Sequence, residues 1–295
     1  MYDVLIVGAG PAGSAAALAA SRRGASVLVL DRDAFPRDKA CGDGIAPHAL
    51  DVLARLGATG LTDGYAPVLL LHVVSPSGEH AERAFRSPVY TIPRVVFDHR
   101  LLSAAVAAGT TVRRHRVRRL TVRNDHVEVD GVTARIVIGA DGASSTVRRH
   151  LGAAANPPGH LALAIRGYAP VPDGAPHTQR IVMAGHDWPA YAWSFPIGDG
   201  RRNVGYGELL RTSSINRAHL LDRLGMLLPD TDCGTITDLK AHHLPLSSRR
   251  PVAGRGRVLL AGDALSLINP FTGEGDLLCR AVRCPGRADR RDRCS

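Results

Sequence analysis

The chain is short of aromatic residues, at 4% of its length, and has lysine only at Lys39 and Lys240, so most of its basic side chains are arginine. Its five cysteines are an odd number at irregular spacing with no Cys-x-x-Cys pair, which argues against a disulfide framework and against a zinc site. Thirteen histidines raise the metal question again, but only His242 and His243 are adjacent, and chain neighbours do not readily face one ion. No metal is expected. No apolar run approaches the roughly 20 residues that span a bilayer. The N-terminal apolar run lacks the basic flank of a signal peptide, and a cytoplasmic protein is expected. A formal charge of +10 brings nucleic acid or anionic lipid into view, yet the arginines are scattered except in the run Arg113-Arg114-His115-Arg116-Val117-Arg118-Arg119. That run reads as a solvated strand edge, and no nucleic-acid partner is expected.

What the chain does have is 45% apolar content over 295 residues, enough to bury the core of one large or two modest domains. Its first thirty residues are the most informative. Tyr2 to Val7 is an apolar run that ends on Gly8-Ala9-Gly10-Pro11-Ala12-Gly13, followed by an alanine-rich stretch and a second apolar run closed by Asp31. This is a strand, a tight turn and a helix inside a βαβ unit, with an acid at the distance that reaches a ribose hydroxyl. Gly8 serves the turn, Gly10 lets backbone approach a pyrophosphate, Gly13 lets helix pack on strand, and the helix N-terminus offers N–H groups to phosphates. A dinucleotide is the expected ligand. The fingerprint does not choose between FAD and a nicotinamide cofactor, and Arg32 beside Asp31 leaves a 2′-phosphate open.

Downstream, Cys41-Gly42-Asp43-Gly44 is a loop ahead of a helix over 48–56. Its glycines allow backbone to lie against something flat, and the bland reading is a turn with a buried thiol. Strands are expected over 68–74 and 79–85. Arg94 precedes a helix over 99–108, where it reaches a cofactor or is a surface cation. Strands follow over 111–120 and 121–130. Ala134 to Gly139 is an apolar strand running into Asp141-Gly142, of the kind buried on both faces of a parallel sheet, with a helix over 147–151. Beyond a Pro- and Gly-rich boundary lie strands over 161–169, 179–183, 191–196 and 203–207 and a helix over 214–227, and Arg257 to Ala261 returns to a core strand that ends in Gly262-Asp263-Ala264. The expected architecture is α/β: a Rossmann-like FAD-binding domain in segments 1–60, 91–155 and 250–275, and an inserted mainly β substrate domain in 61–90 and 156–249.

Three motifs occur in order, Gly8-x-Gly10-x-x-Gly13, Gly139-Ala140-Asp141-Gly142-x-x-Ser145 and Gly262-Asp263-Ala264, and together they resemble the FAD-dependent oxidoreductases of the p-hydroxybenzoate hydroxylase fold. Lys39-Ala40-Cys41-Gly42-Asp43-Gly44, Tyr191-Ala192-Trp193-Ser194-Phe195-Pro196, Asn203-Val204-Gly205-Tyr206-Gly207 and Asn269-Pro270 with Gly273-Glu274-Gly275 are similar to loops and strands of one branch, the geranylgeranyl reductase family, especially its actinobacterial members, some of which act on the menaquinone tail. The resemblance implies FAD as cofactor, NAD(P)H or ferredoxin as electron donor, and a prenyl-lipid or isoprenoid substrate met in peripheral contact with the inner face of the membrane. It implies a cofactor set of Gly8, Gly10, Pro11, Ala12, Gly13, Asp31, Arg32, Lys39, Cys41, Gly42, Arg94, Val117, Asp141, Gly142, Asp263, Gly273 and Gly275. Tyr191 and Trp193 then line the substrate pocket, and Cys41 or a water donates the proton. The other reading within the fold is an aromatic monooxygenase or halogenase, for which Lys240 is the candidate lysine.

After Gly275 the resemblance breaks. The family continues with Ile-x-x-Ala-x-x-Ser-Gly on a helix, whereas here Asp276 to Ser295 is a basic stretch carrying Cys279, Cys284 and Cys294. Read one base later, permitted codons restore the family spacing, so 276–295 is expected to be an aberrant tail produced by a frameshift. The family's C-terminal helices are absent with it, and an inactive flavin-fold product is the third expectation. Sequencing of the DNA across Glu274 should find codons that encode the family peptide in the shifted frame; codons unable to do so remove the frameshift.

Overall fold

The computed structural model describes residues 1–185, 188–211 and 215–270. Two eight-stranded sheets organise them. The first runs Gly254–Arg255, Val258–Leu260, Val132–Gly139, Tyr2–Val7, Val27–Asp31, Thr111–Arg114, with the hairpin Leu120–Val122 and Val127–Val129 attached to Val132–Gly139. From Val258–Leu260 to Thr111–Arg114 every pairing is parallel. Leu5 to Val7 and Val27 to Leu30 are continuous buried apolar runs because both faces of the sheet are covered there. Ile6 and Val29 pack with Ala15 and Leu18 of the helix Pro11–Ser21 and with Phe97 and Leu101 of the helix Arg94–Ala107. Leu5, Val7, Leu28 and Leu30 point the other way, onto Val127, Val129, Val137 and Val147. Burying each such side chain contributes roughly 1.5–3 kcal/mol.

The second sheet runs Thr237–Pro245, Leu161–Pro170, Arg201–Leu209, Ala190–Pro196, Gln179–Met183, Val68–Val74, His80–Thr91, Gly44–Ile45. Only the pairing of Gln179–Met183 with Val68–Val74 is parallel. One face is closed by the helix Arg217–Leu227, whose Leu220 and Leu224 meet Ile165, Ala192, Val204 and Tyr206. The opposite face carries Tyr191, Trp193 and Phe195, which alternate with the buried Ala190, Ala192 and Ser194. Trp193 pairs with Gly205 across the strands, and a Cβ at Gly205 would sit 2.1 Å from the indole, so the glycine is what lets the ring lie against the sheet. Among the described residues no helix is long and apolar enough to cross a membrane.

Several elements differ from the sequence expectation. The helix placed at 99–108 begins at Arg94, because Pro93 supplies an extended N-terminal flank and Asp98 pairs with Arg94 one turn on. The strand placed at 111–120 ends at Arg114. The Asp130 carboxylate accepts from the backbone N–H groups of Arg118 and Arg119 and from His115 or its proton, which turns the chain out of the sheet, and 121–130 becomes the short hairpin. The strand at 79–85 extends to Thr91, where Thr91 and Tyr90 pair with Gly44 and Ile45, so the second sheet takes a piece from inside the 1–60 segment. The helix at 214–227 starts at Arg217, with the Asn216 side chain accepting from His219 N. Thr237–Pro245, an edge strand, carried no signal. Gly273, Gly275 and the tail 276–295 lie outside the described residues.

The sheets meet at the loop before Gly44. Arg166, wholly buried in the strand Leu161–Pro170, pairs with Asp38 and donates to the Lys39 carbonyl at 2.8 Å. Asp43, also wholly buried, accepts on Oδ2 from the Tyr168 hydroxyl and from Asn203 Nδ2, each at 2.7 Å. Burial pushes the Asp43 carboxyl up to about 6, against the opposing pull of Tyr168, Arg166 and Asn203. The folded protein therefore holds this proton more tightly than the unfolded chain. The stabilisation it brings is full below the ordinary carboxyl value of 3.8 and is lost as pH rises through about 6. Asp43→Asn, permanently neutral, should remove this slope and be more stable than the parent at pH 7.5 by up to about 3 kcal/mol, with the difference shrinking towards pH 4.5. Urea unfolding of both proteins at the two pH values measures it.

Candidate functional site

The N-terminal helix opens at the C-terminal end of the central strand Tyr2–Val7, with Pro11 at its first position and Gly10 as an extended N-cap. Its packing requires Gly13, where a Cβ would lie 1.8 Å from the Gly8 carbonyl oxygen. Gly10 has a different surrounding: among the described residues, its own neighbours in the chain aside, a Cβ there meets the tip of Arg37, at 3.6 Å. The Asp31 carboxylate is pinned at the end of the next strand by Ala9 N at 2.6 Å and Asp33 N at 2.9 Å. Arg32 is exposed and pairs with Asp33. Over the helix start lies the turn Gly262–Leu265, close enough that a Cβ at Gly262 would be 2.9 Å from that of Ala12. Asp263 in this turn pairs with Lys39 at 3.4 Å, and Lys39 Nζ is 3.9 Å from the Cβ position of Gly142. Gly10, Ala12, Lys39, Gly142 and Asp263 thus border one groove. The open backbone at Gly10, free helix N–H groups and the two cations Arg37 and Lys39 fit an anionic pyrophosphate, and Asp31 fits a ribose.

Two expected cofactor residues have narrower parts. Asp141 accepts from the Ser145 hydroxyl and from Thr146 N at 2.6 Å, so its carboxylate caps the helix Thr146–His150 and the neighbouring Gly142 is what borders the groove. The Val117 side chain is buried in the second core cluster, and the contact with the Asp31 end of the sheet is made two residues earlier, where His115 N donates to the Asp31 carbonyl at 2.6 Å. Arg94 is not a surface cation. It is buried, forms a two-point pair with Asp98 at 2.5 and 2.8 Å, and reaches Cys41. Burial acts to lower its pKa, but Asp98 and Cys41 outweigh burial and hold it well above the ordinary arginine value. Arg37 shares the same Asp98 at 2.9 Å.

Cys41, a half-buried free thiol, stands on the loop that faces the aromatic side of the second sheet. A Cβ at Gly42 would lie 3.3 Å from Trp193 Nε1 and 3.6 Å from the Phe195 ring. Tyr191 and Trp193 are tilted neighbours with ring centroids 6.0 Å apart. Asn203 joins loop and wall, accepting from Trp193 Nε1 at 2.8 Å and donating to the Cys41 carbonyl at 2.9 Å and to Asp43. Asp43, Arg166, Tyr168 and Asn203 were not assigned from sequence, although Asp43 and Asn203 sit inside quoted motifs. His242 was considered only for metal. Burial, reinforced by the charge of Lys39 and opposed by that of Asp263, pushes its imidazole down to about 4, so it is neutral at physiological pH. Lys240 holds Asp38 at 2.6 Å and Lys39 holds Asp263, which places both lysines of the chain in ion pairs.

Comparison with known proteins identifies the family. The FAD binding domain family matches residues 1–188. The chain is 32% identical to menaquinone reductase of Mycolicibacterium smegmatis, over 92% of this chain and 72% of that protein. It is 34% identical to digeranylgeranylglycerophospholipid reductase 1 of Methanopyrus kandleri, over 93% of this chain and 76% of that one. In structure it is similar to a geranylgeranyl bacteriochlorophyll reductase-like protein from Thermoplasma acidophilum, with a TM-score of 0.79 and 24% identity over 93% of this chain and 74% of that one. The chain belongs to the FAD binding domain family and, within it, to the geranylgeranyl reductase branch that includes these menaquinone and digeranylgeranylglycerophospholipid reductases.

Proposed function

We propose that this chain is an FAD-dependent reductase of isolated double bonds in a prenyl chain, of the geranylgeranyl or menaquinone-tail kind. The observation that carries the reading is the wall of Tyr191, Trp193 and Phe195 set opposite the Cys41 loop at the edge of the dinucleotide groove. An unconjugated alkene has no charge to grip, so its site must be an apolar wall beside a firmly held redox group. The names of the relatives support the same substrate class.

Bound FAD, reduced by NAD(P)H or ferredoxin, supplies the hydride. The residues of the chain do the rest. The N–H groups at the start of Pro11–Ser21, with Arg37 and Lys39, hold the pyrophosphate; Asp31 holds the adenosine ribose, and Asp263 the sugar chain on the flavin side. Gly42 and Gly44 would let the loop lie close against the flavin, and Cys41 or a water beside it would give the proton to the second alkene carbon. Tyr191 and Trp193 orient the chain being reduced. On this reading the segments 1–60, 91–155 and 250–275, which carry the first sheet and lend Gly44–Ile45 to the second, form the FAD-binding domain, and 61–90 with 156–249 the substrate domain. The lipid substrate brings the protein to the inner face of the membrane as a peripheral partner.

Gly10→Ala is expected to leave stability within about 0.5 kcal/mol of the parent, because a Cβ there meets only a flexible arginine tip, while weakening FAD at least about tenfold through the lost phosphate approach. Urea unfolding and flavin fluorescence titration read the two effects, and equal FAD affinity would place the cofactor elsewhere. Photoreduced holoprotein incubated without oxygen with a prenyl quinone should return product heavier by two hydrogens per bond reduced, as read by mass spectrometry. A flavin-loaded protein that returns prenyl quinones and geranylgeranyl lipids unchanged overturns the reductase reading.

A further inference from the structure

Cys41, Gly42, Asp43 and Gly44 follow directly on the first sheet's groove, yet the side chains that hold them come from the second sheet. Asn203 donates through Nδ2 to the Cys41 carbonyl at 2.9 Å and to Asp43 Oδ2 at 2.7 Å, while its own Oδ1 accepts from the Trp193 indole at 2.8 Å. Tyr168 donates to the same carboxylate oxygen at 2.7 Å. The other oxygen, Oδ1, is buried and has no hydrogen-bond partner among the described residues. The residue's φ of 61° is a left-handed conformation that Asp and Asn accept more readily than other side chains. One oxygen of a wholly enclosed carboxylate therefore carries both bonds, and the second is bare. A proton added to the bare oxygen breaks no bond, but it removes the charge that makes the two bonds on Oδ2 roughly twice as strong as neutral ones.

We propose that Asp43 is a positioning residue: its ionised carboxylate locks the Cys41 loop to the wall formed by Trp193 and Tyr168, and taking up a proton on Oδ1 slackens that lock. The lock fixes two things at once through Asn203, the height of the Cys41 backbone and the tilt of the Trp193 ring. Its consequence for turnover rests on the reductase reading; the lock itself does not. The charged and titratable groups that face Asp43 are Arg166 and Tyr168 from the strand Leu161–Pro170, Arg94 from the helix Arg94–Ala107, and Tyr65 from the connection before Val68. Cys41 lies on its own loop. Burial sets the direction of the Asp43 shift, and the change of state falls near pH 6.

The chain has two tryptophans, Trp188 and Trp193, so Trp188→Phe leaves Trp193 as the only indole and makes its emission a direct reporter of the network. In the full chain without added cofactor, titration from pH 8 to pH 5 should show one inflection near pH 6. Adding Asp43→Asn should abolish it and fix the emission at the low-pH form of the parent. Adding Tyr168→Phe instead, which takes one donor from the charged oxygen, should move the inflection to higher pH. An inflection that survives Asp43→Asn, or an Asp43→Asn emission at pH 8 equal to that of the ionised parent, overturns the proposal. In the flavin-loaded enzyme acting on a prenyl quinone, Asp43→Asn should lower kcat about tenfold with KM little changed, and an unchanged kcat refutes the consequence for turnover. A parent that binds FAD yet reduces no prenyl substrate defeats the reductase reading alone, because the emission arms decide the lock without it.

Discussion

A single buried carboxylate, Asp43, is the point through which the two sheets share one site. It is enclosed completely, and burial lifts its proton affinity, so near neutral pH the fold carries a charge that it would be more stable without. What keeps the charge tolerable is local and comes from far along the chain: a hydroxyl from Tyr168, an amide from Asn203 and the field of Arg166. These residues belong to strands that also carry the aromatic wall. Stability spent at such a position is the pattern expected where geometry at a site outranks the depth of the folded minimum. The same logic applies to Arg94, whose buried charge is matched by Asp98 on its own helix and by the Cys41 it touches.

The groove itself is a product of parallel pairing. Parallel strands deliver their C-terminal ends to one edge of the sheet, and each expected motif sits just past such an end: Gly8 to Gly13 after Val7, Asp31 at the end of Val27–Asp31, Asp141-Gly142 after Gly139, and Gly262-Asp263 after Leu260. Tyr2–Val7 lies between Val27–Asp31 and Val132–Gly139, so the chain leaves the central strand first to one side and later returns on the other, which opens a crevice at that strand's end. Residues separated by more than two hundred positions, such as Lys39 and Asp263, then meet at 3.4 Å without either needing a local signal for the other.

This explains what was legible in the sequence and what was not. The βαβ opening, the second core strand and the Gly262-Asp263 turn were readable because each combines an apolar run with a glycine-bearing end, and that combination has few alternatives. The strands bearing Trp193 and Asn203 were readable as short apolar runs broken by Pro and Gly, and what the resemblance added was the substrate-pocket role of Tyr191 and Trp193. Arg94 was ambiguous because its partner, Asp98, became adjacent only once the helix was known to begin at Arg94. Arg166 and Tyr168 were silent for a different reason. They lie on a strand buried on both faces from Ala164 to Ala169, which gives no alternation to single them out, and their partners Asp38 and Asp43 precede them by 128 and 125 residues. The truncation of the strand after Arg114 depended on Asp130, a side chain fifteen residues beyond His115, accepting backbone N–H groups that a strand would have given to a neighbour.

The scarcity of aromatic residues has a structural counterpart. Of thirteen in the chain, Tyr168, Tyr191, Trp193, Phe195 and Tyr206 lie in three adjacent strands of one sheet. The first sheet's core is built mostly of Val, Leu, Ile and Ala, with Phe97 as its buried aromatic side chain among the described residues, and small residues are what permit the contact of Gly13 with Gly8 on which the phosphate-facing helix depends. Where flat surface is placed, glycine is placed across from it: Gly205 and Gly207 pair with Trp193 and Tyr191, so the rings spread over backbone rather than against side chains. A wall of that kind presents broad, weakly directional contact, which suits a substrate defined by length and shape rather than by charge. Direction must then come from elsewhere, and in this fold it is supplied by the polar network behind the wall, where the indole N–H and the loop carbonyl are held by the same asparagine.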